Sequence, residues 1–260
     1  MTNNLVPDEW LRKHGEKYLL KLEARKEEER KRGKRKPESP KPITSNLVRT
    51  SANLDLNQYI QIPDSKIIIS RNTLYTEDKL CWMDSHVKLA KNGLFMPTPA
   101  VAMNYIVKVR DALQRGQDLF YADGKKLNRR EVQDLWNYLS FNKKTWSWLN
   151  ARFGDGTIAS VKSMGLTNKM LVYGMENPLE AYLNENCFAY FEFNNQGLPT
   201  NKSLKQKYLQ GQNFYFHYPM QGRVARIGVG SGDFFLNCRE NPTITDHALG
   251  VFGCAEGERK

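Results

Sequence analysis

Residues 225–237, ARIGVGSGDFFLN, strip the side chain from every second position at Gly228, Gly230 and Gly232, and that period of two decides how the segment can fold. A glycine loop that cradles phosphate needs a strand before it and a helix directly after it, whose N-terminal amides and dipole hold the anion. The next residues here are DFFLNCRENP, a stretch that alternates, is rich in β-forming residues and is closed by Pro242. The third glycine also comes one position too early for G-x-G-x-x-G, and no G-K-[ST] is present after it. The stretch therefore reads as strand. Ile227, Val229 and Ser231 point one way, and Gly228, Gly230 and Gly232 the other. After a shift at Gly232–Asp233, Phe234, Leu236 and Cys238 form one face, and Asp233, Phe235, Asn237 and Arg239 the opposite one. The first face is core. The second mixes an acid, an aromatic ring, an amide and a base beside bare glycine, and no single physical demand selects that mixture. The glycines predict that a ligand can approach the backbone closely on this side.

The residues missing from this region sharpen the point. Lys, Gln, Glu, Met and Trp make up 62 of the 260 residues. Chance would place roughly eight of them between Gly222 and Cys254, yet only Glu240 occurs there. Strand bias explains part of the deficit, but not the absence of lysine from a long outward face in a lysine-rich chain.

Upstream, the pattern changes twice. Residues 1–45 carry 13 Lys+Arg against 8 Asp+Glu, while the other 215 residues share a net charge of +6. Leu11, Tyr18, Leu19 and Leu22 give residues 8–24 one apolar helical face, and KEEERKRGKRK and PESPKP then end any packing signal. Residues 1–45 thus read as a basic helical arm with a Pro-rich linker, and 46–260 as the body. The arm suits solvent, or an anionic surface, particle or nucleic acid. From Ile67–Ile69, a buried strand, the chain enters a helix capped by Thr98, begun at Pro99 and ended at Gly116. Met103, Ile106, Val107 and Leu113 form its inner stripe. A second helix starts at Asn128, with Glu131 as its capping-box partner, and buries Val132, Leu135, Trp136 and Leu139. After Gly154 only short apolar runs remain, among them LVYG, CFAYFEF, NFYFHYP and FFLNC, which read as short antiparallel strands. The fold class is α+β with two helices.

On these residues the C-terminus resembles the variable region of the target proteins of diversity-generating retroelements. The likeness rests on a framework of Ala225-Arg226, Ser231, Leu236-x-Cys238, Pro242 and Leu249-Gly250-Val251. In that family an error-prone copy of a template replaces adenines, and pyrimidine-ended codons then yield almost any residue except Lys, Gln, Glu, Met or Trp. The resemblance implies a C-type-lectin-like domain, of the variant related to formylglycine-generating enzymes, over 46–260, with a variable region at about 222–254. It implies a ligand-binding display protein, without catalysis, cofactor or metal, that meets a protein or surface molecule. It assigns as variable, ligand-facing positions Gly228, Gly230, Gly232, Asp233, Phe235, Asn237, Arg239, Asn241, Ile244, Asp246 and Ala248. Arg223 and His247 stand at the margin of the set, Phe235 and Arg239 are its best anchors, and Glu240 departs from the codon rule and reads as fixed.

Two rival classes are carried with it. Nucleic-acid binding through the basic arm predicts steep salt dependence. Cysteine chemistry on the same fold would need a thiolate of depressed pKa. Against it, Cys81, Cys187, Cys238 and Cys254 show no C-x-x-C spacing and read as free, buried thiols, although a disulfide between two of them is also compatible with the spacing. Lone His86 and His217 read as packed core or edge residues. No run of the chain has the length and apolarity of a membrane span or the pattern of a signal peptide, so display on a virion or cell surface implies a non-classical route.

Overall fold

The computed structural model describes residues 54–141, 146–165, 170–230, 232–246 and 248–257. The arm and linker expected over 1–45 lie outside these. The chain opens with β1 (Tyr59–Gln61) and β2 (Ile67–Ser70), then α1 (Trp82–Lys91), α2 (Pro99–Arg115), β3 (Phe120–Tyr121) and α3 (Arg129–Phe141). Then come β4 (Trp146–Phe153), β5 (Thr157–Ala159), β6 (Val161–Gly165), β7 (Met170–Tyr173), β8 (Asn177–Pro178) and β9 (Cys187–Tyr190). The last strands are β10 (Asn213–His217), β11 (Val224–Gly230), β12 (Asp233–Glu240), β13 (Leu249–Val251) and β14 (Cys254–Glu256).

The architecture is α+β. An eight-stranded sheet of order β8-β5-β4-β11-β12-β10-β9, with β13 beside β4, curls into a half-barrel. A four-stranded sheet, β14-β2-β1-β3, and the β6-β7 pair complete it. Among the described residues three α-helices form where two were expected. The two expected ones carry the punctuation read from the sequence. The Thr98 hydroxyl accepts from the Val101 amide at 3.3 Å, and Gly116 ends α2 at φ 69°. Asn128 and Glu131 exchange backbone-to-side-chain bonds of 2.7 and 3.0 Å. The additional helix, α1, begins at Cys81, whose sulfur accepts from the Asp84 amide.

Two strand pairs are parallel, correcting the expectation of antiparallel strands throughout. β12 folds back from β11 into the slot beside β10, so a strand antiparallel to β11 lies parallel to β10. β13 likewise runs parallel to β4. The tryptophan pair of TWSWLNARF sits in β4, at the heart of the sheet.

Two apolar clusters hold the sheet. On one face, Ile106 and Val109 of α2 and Leu135 and Leu139 of α3 pack with Leu149, Ala225, Ile227, Val229, Phe234, Leu236 and Cys238. On the other, Trp82 and Leu89 of α1 and Ile68 of β2 pack with Trp148, Val224, Leu249 and Val251. This second cluster covers only the β4–β13 end. Registered pairs share a face, and one row runs Leu249–Trp146–Gly228–Phe235–Tyr215–Phe188 across five strand pairings. The next runs Val251–Trp148–Arg226–Asn237–His217. Each begins fully buried and ends half-buried, with Gly228 of β11 still buried, so the β12–β10–β9 part of this face is left uncovered by the described residues. His86, expected in the core, is buried in α1, edge-on to Trp82 at 4.5 Å, and its Nε2 has no hydrogen-bond partner. Among the described residues no helix is long and apolar enough to cross a membrane.

Candidate ligand-binding face

Alternation along β12 builds the site. Phe234, Leu236 and Cys238 are buried against the helices, whereas Asp233, Phe235, Asn237 and Arg239 are half-buried on the uncovered face. Gly228 and Gly230 of β11 lie opposite Phe235 and Asp233, so six of the eleven assigned positions share one face of the sheet, Gly228 buried there and the other five half-buried.

An extra residue in β12 between Asn237 and Glu240, where β11 advances only from Arg226 to Val224, shifts the register. The shift lets the Glu240 carboxylate reach the outer face, where it pairs with the Arg226 guanidinium at 2.6 Å and accepts from the Asn237 amide at 3.4 Å. Arg226, one of the framework residues, stacks over the Trp146 ring at 4.2 Å. Burial pulls its pKa below the usual arginine range, against the opposing pull of Glu240 and Asp246. Glu240, expected to be a fixed position, thus holds the half-buried Arg226 cation in place. Nothing else on this face offers Arg226 a salt bridge among the described residues.

Phe235 is the centre of an aromatic group. Its ring lies 5.8 Å from Trp146, 5.7 Å from Tyr215 and 5.9 Å from His217, the last stacked at 12°. Phe188 extends the group beyond Tyr215 at 4.9 Å. Arg239 lies over the Tyr218 ring at 5.6 Å and donates from Nε to the Met220 sulfur at 2.9 Å. Burial first, then the two arginines, lowers the His217 pKa, which disfavours the charged imidazole. Beside Asp233, burial and that carboxylate push the Tyr208 hydroxyl up to about 12.

Gly230 does not leave bare backbone for a ligand, contrary to the expectation, whereas Gly232 has nothing within 4 Å of where a Cβ would stand. A Cβ on Gly230 would stand 2.9 Å from Cζ2 of Trp146 and 3.5 Å from the Phe235 ring. The indole already lies over that strand. Because the close atom belongs to an indole held between Arg226 and Phe235, Gly230→Ala is expected to lower stability by about 1–2 kcal/mol. It should move the Trp146 indole N–H resonance, and an unmoved resonance would refute the contact.

The remaining assigned positions lie apart from the sheet surface. Gly232 sits exposed in the β11–β12 turn at φ 94°, a conformation that side chains rarely adopt. Asn241, Ile244, Asp246 and Ala248 fall on the connection to β13. There the Asn241 side chain accepts from the Thr243 amide and hydroxyl, and Asp246 accepts from the Ala248 amide at 3.1 Å. Ile244 is exposed, and Ala248 accepts from the Trp146 amide through its carbonyl. Arg223 is half-buried beside β11, and its carbonyl accepts from the Phe153 amide. His247 lies outside the described residues. His217, expected in core or edge, instead stands on the open face.

The sequence pointed to none of Trp146, Tyr215, His217, Tyr218 or Phe188 as part of a site. The signal was present in FYFHY, where Phe214 and Phe216 point inward and alternate with Tyr215 and His217 pointing outward. The four cysteines are unpaired; Cys187, Cys238 and Cys254 are buried as expected, while Cys81, at the start of α1, is only half-buried, and loss of solvent raises the pKa of every one, the reverse of what a nucleophilic thiol needs. Among the described residues no cluster of His, Cys, Asp and Glu is arranged to hold a metal ion. Compared with known proteins, the chain matches no family model, no curated protein and no solved structure.

Proposed function

We propose that the chain is a display protein of the C-type-lectin-like kind, whose C-terminal face is diversified by a retroelement and binds a macromolecular ligand. The observation that carries this reading is the split along β12, in a stretch almost free of the residues that adenine-directed copying cannot produce. Its inward side chains lock into the helical core, while its outward ones gather on one uncovered surface. Inward burial of a large apolar side chain stabilises by roughly 1.5–3 kcal/mol, whereas outward substitutions usually stay within about 0.5 kcal/mol. Of positions 228, 230, 233, 235, 237 and 239, the four on β12 can then change identity while the scaffold persists, and the two glycines on β11 can do so only where their neighbours shift to make room. Large rings and guanidinium groups supply most of the binding energy wherever they occur, and in this copy those are Phe235 and Arg239.

The test is twofold. The DNA flanking the coding sequence should hold a near-identical repeat of the segment, with adenines at the differing codons, beside a reverse transcriptase gene. A library randomised at the four β12 positions should keep cooperative melting in most clones. Lack of any repeat removes the diversification claim. Loss of folding in most clones removes the division between scaffold and surface.

A further inference from the structure

Part of the uncovered face belongs to residues outside the diversified stretch, and their chemistry narrows what can sit there. Trp146, Tyr215 and His217 form an aromatic floor around Phe235, and Tyr218 lies beneath Arg239. Two guanidinium groups rise from it in different states. Arg226 is consumed by Glu240, with its Nε buried and unpartnered. Arg239 pairs with no carboxylate among the described residues, and its Nε meets only a thioether, a weak acceptor. The face therefore offers one unmatched cation at the edge of a ring cluster.

A polyanion would also seek a cation and stacked rings. Yet Asp233 lies on the same face, Asp246 is near enough to act on Arg226, and the pairing with Glu240 leaves Arg226 no free charge to offer, so a phosphate backbone running across the face would meet like charges and one unmatched cation. A single carboxylate needs only that cation.

Building on the display reading, we propose that the face takes a protein segment bearing one carboxylate next to an aromatic side chain, with the carboxylate on Arg239 and the ring laid over Phe235 and the fixed Trp146, Tyr215 and His217 around it. The charge-assisted bond gives the selectivity, and the rings give most of the contact area. Because the floor is fixed, other copies of the surface would keep a preference for aromatic-bearing segments while changing the polar group they require.

Three probes test this by NMR titration of the full chain: a short peptide of alternating glycine and phenylalanine with one central glutamate, its glutamine counterpart, and a short oligothymidylate. The glutamate peptide should bind about tenfold more tightly than the glutamine one, with shifts centred on residues 233–239 and the Trp146 indole. Arg239→Gln should abolish the difference, and Phe235→Ser should weaken both peptides. Equal affinity of the two peptides, tighter binding of the oligothymidylate on this face, or no binding by any probe overturns the proposal. If the two peptides bind equally but Phe235→Ser weakens both, the carboxylate preference falls and the display reading stands. Shifts that map elsewhere and ignore Phe235→Ser count against the display reading itself.

Discussion

Leu236→Ala is expected to lower the free energy of unfolding by about 2–5 kcal/mol, while Arg239→Ser, three residues along the same strand, changes it by less than about 1 kcal/mol. Leu236 is fully buried between the sheet and α2–α3, with Ile227, Val229 and Phe234 as neighbours in the cluster. Truncating it removes apolar burial and leaves a void that surrounding side chains, held by two helices, cannot close. Arg239 projects to the uncovered face, where it rests on Tyr218 and Met220, and losing it costs only surface contact. Urea unfolding of both variants decides the matter. Similar losses from the two would mean that both faces of β12 are structural, and the proposed surface would have no freedom to vary.

The second large effect is acid sensitivity from His86. Its pKa falls from the usual 6.5 to about 3 because the imidazole is buried, and its Nε2 is unpartnered against the Trp82 edge. The folded state favours the neutral ring, so the unfolded chain takes up the proton first as pH drops below 6.5. Stability contributed by this group is whole above pH 6.5 and declines at about 1.4 kcal/mol per pH unit until pH approaches 3. Between about pH 6.5 and 4.5 the wild type should therefore lose about 2.5 kcal/mol more than His86→Leu. Denaturant melts of both proteins across that window provide the comparison. Parallel curves would show that His86 is free to protonate in the fold.

The legible parts of the fold were those governed by local chemistry. Thr98, Pro99 and Gly116 bracket α2, and Asn128 with Glu131 starts α3, because caps act within one turn of the chain. The alternation from Phe234 to Arg239 announced its two faces for the same reason. α1 escaped notice because a cysteine sulfur, a weak acceptor, stands where Ser, Thr, Asp or Asn usually caps a helix. The parallel pairing of β10 with β12 depends on where β12 is inserted relative to β11, a long-range choice that leaves no mark in either strand. In the site, the positions on β11 and β12 could be named, but the floor under them could not. Trp146 precedes Phe235 by 89 residues and reaches it only because Gly228 stands between them in the row.

The rows that run from Leu249 and Val251 out to Phe188 and His217 also determine how stiff the platform is. Trp146 is wedged between Arg226 and Phe235, and Phe235 is hemmed by Tyr215 and His217, so these rings have few rotamers left to surrender. Ordering a mobile side chain on association commonly costs about 0.5–1.5 kcal/mol. A partner settling on this platform would give up mainly its own conformational freedom. Even a sparse set of contacts would therefore yield a measurable lifetime for the complex.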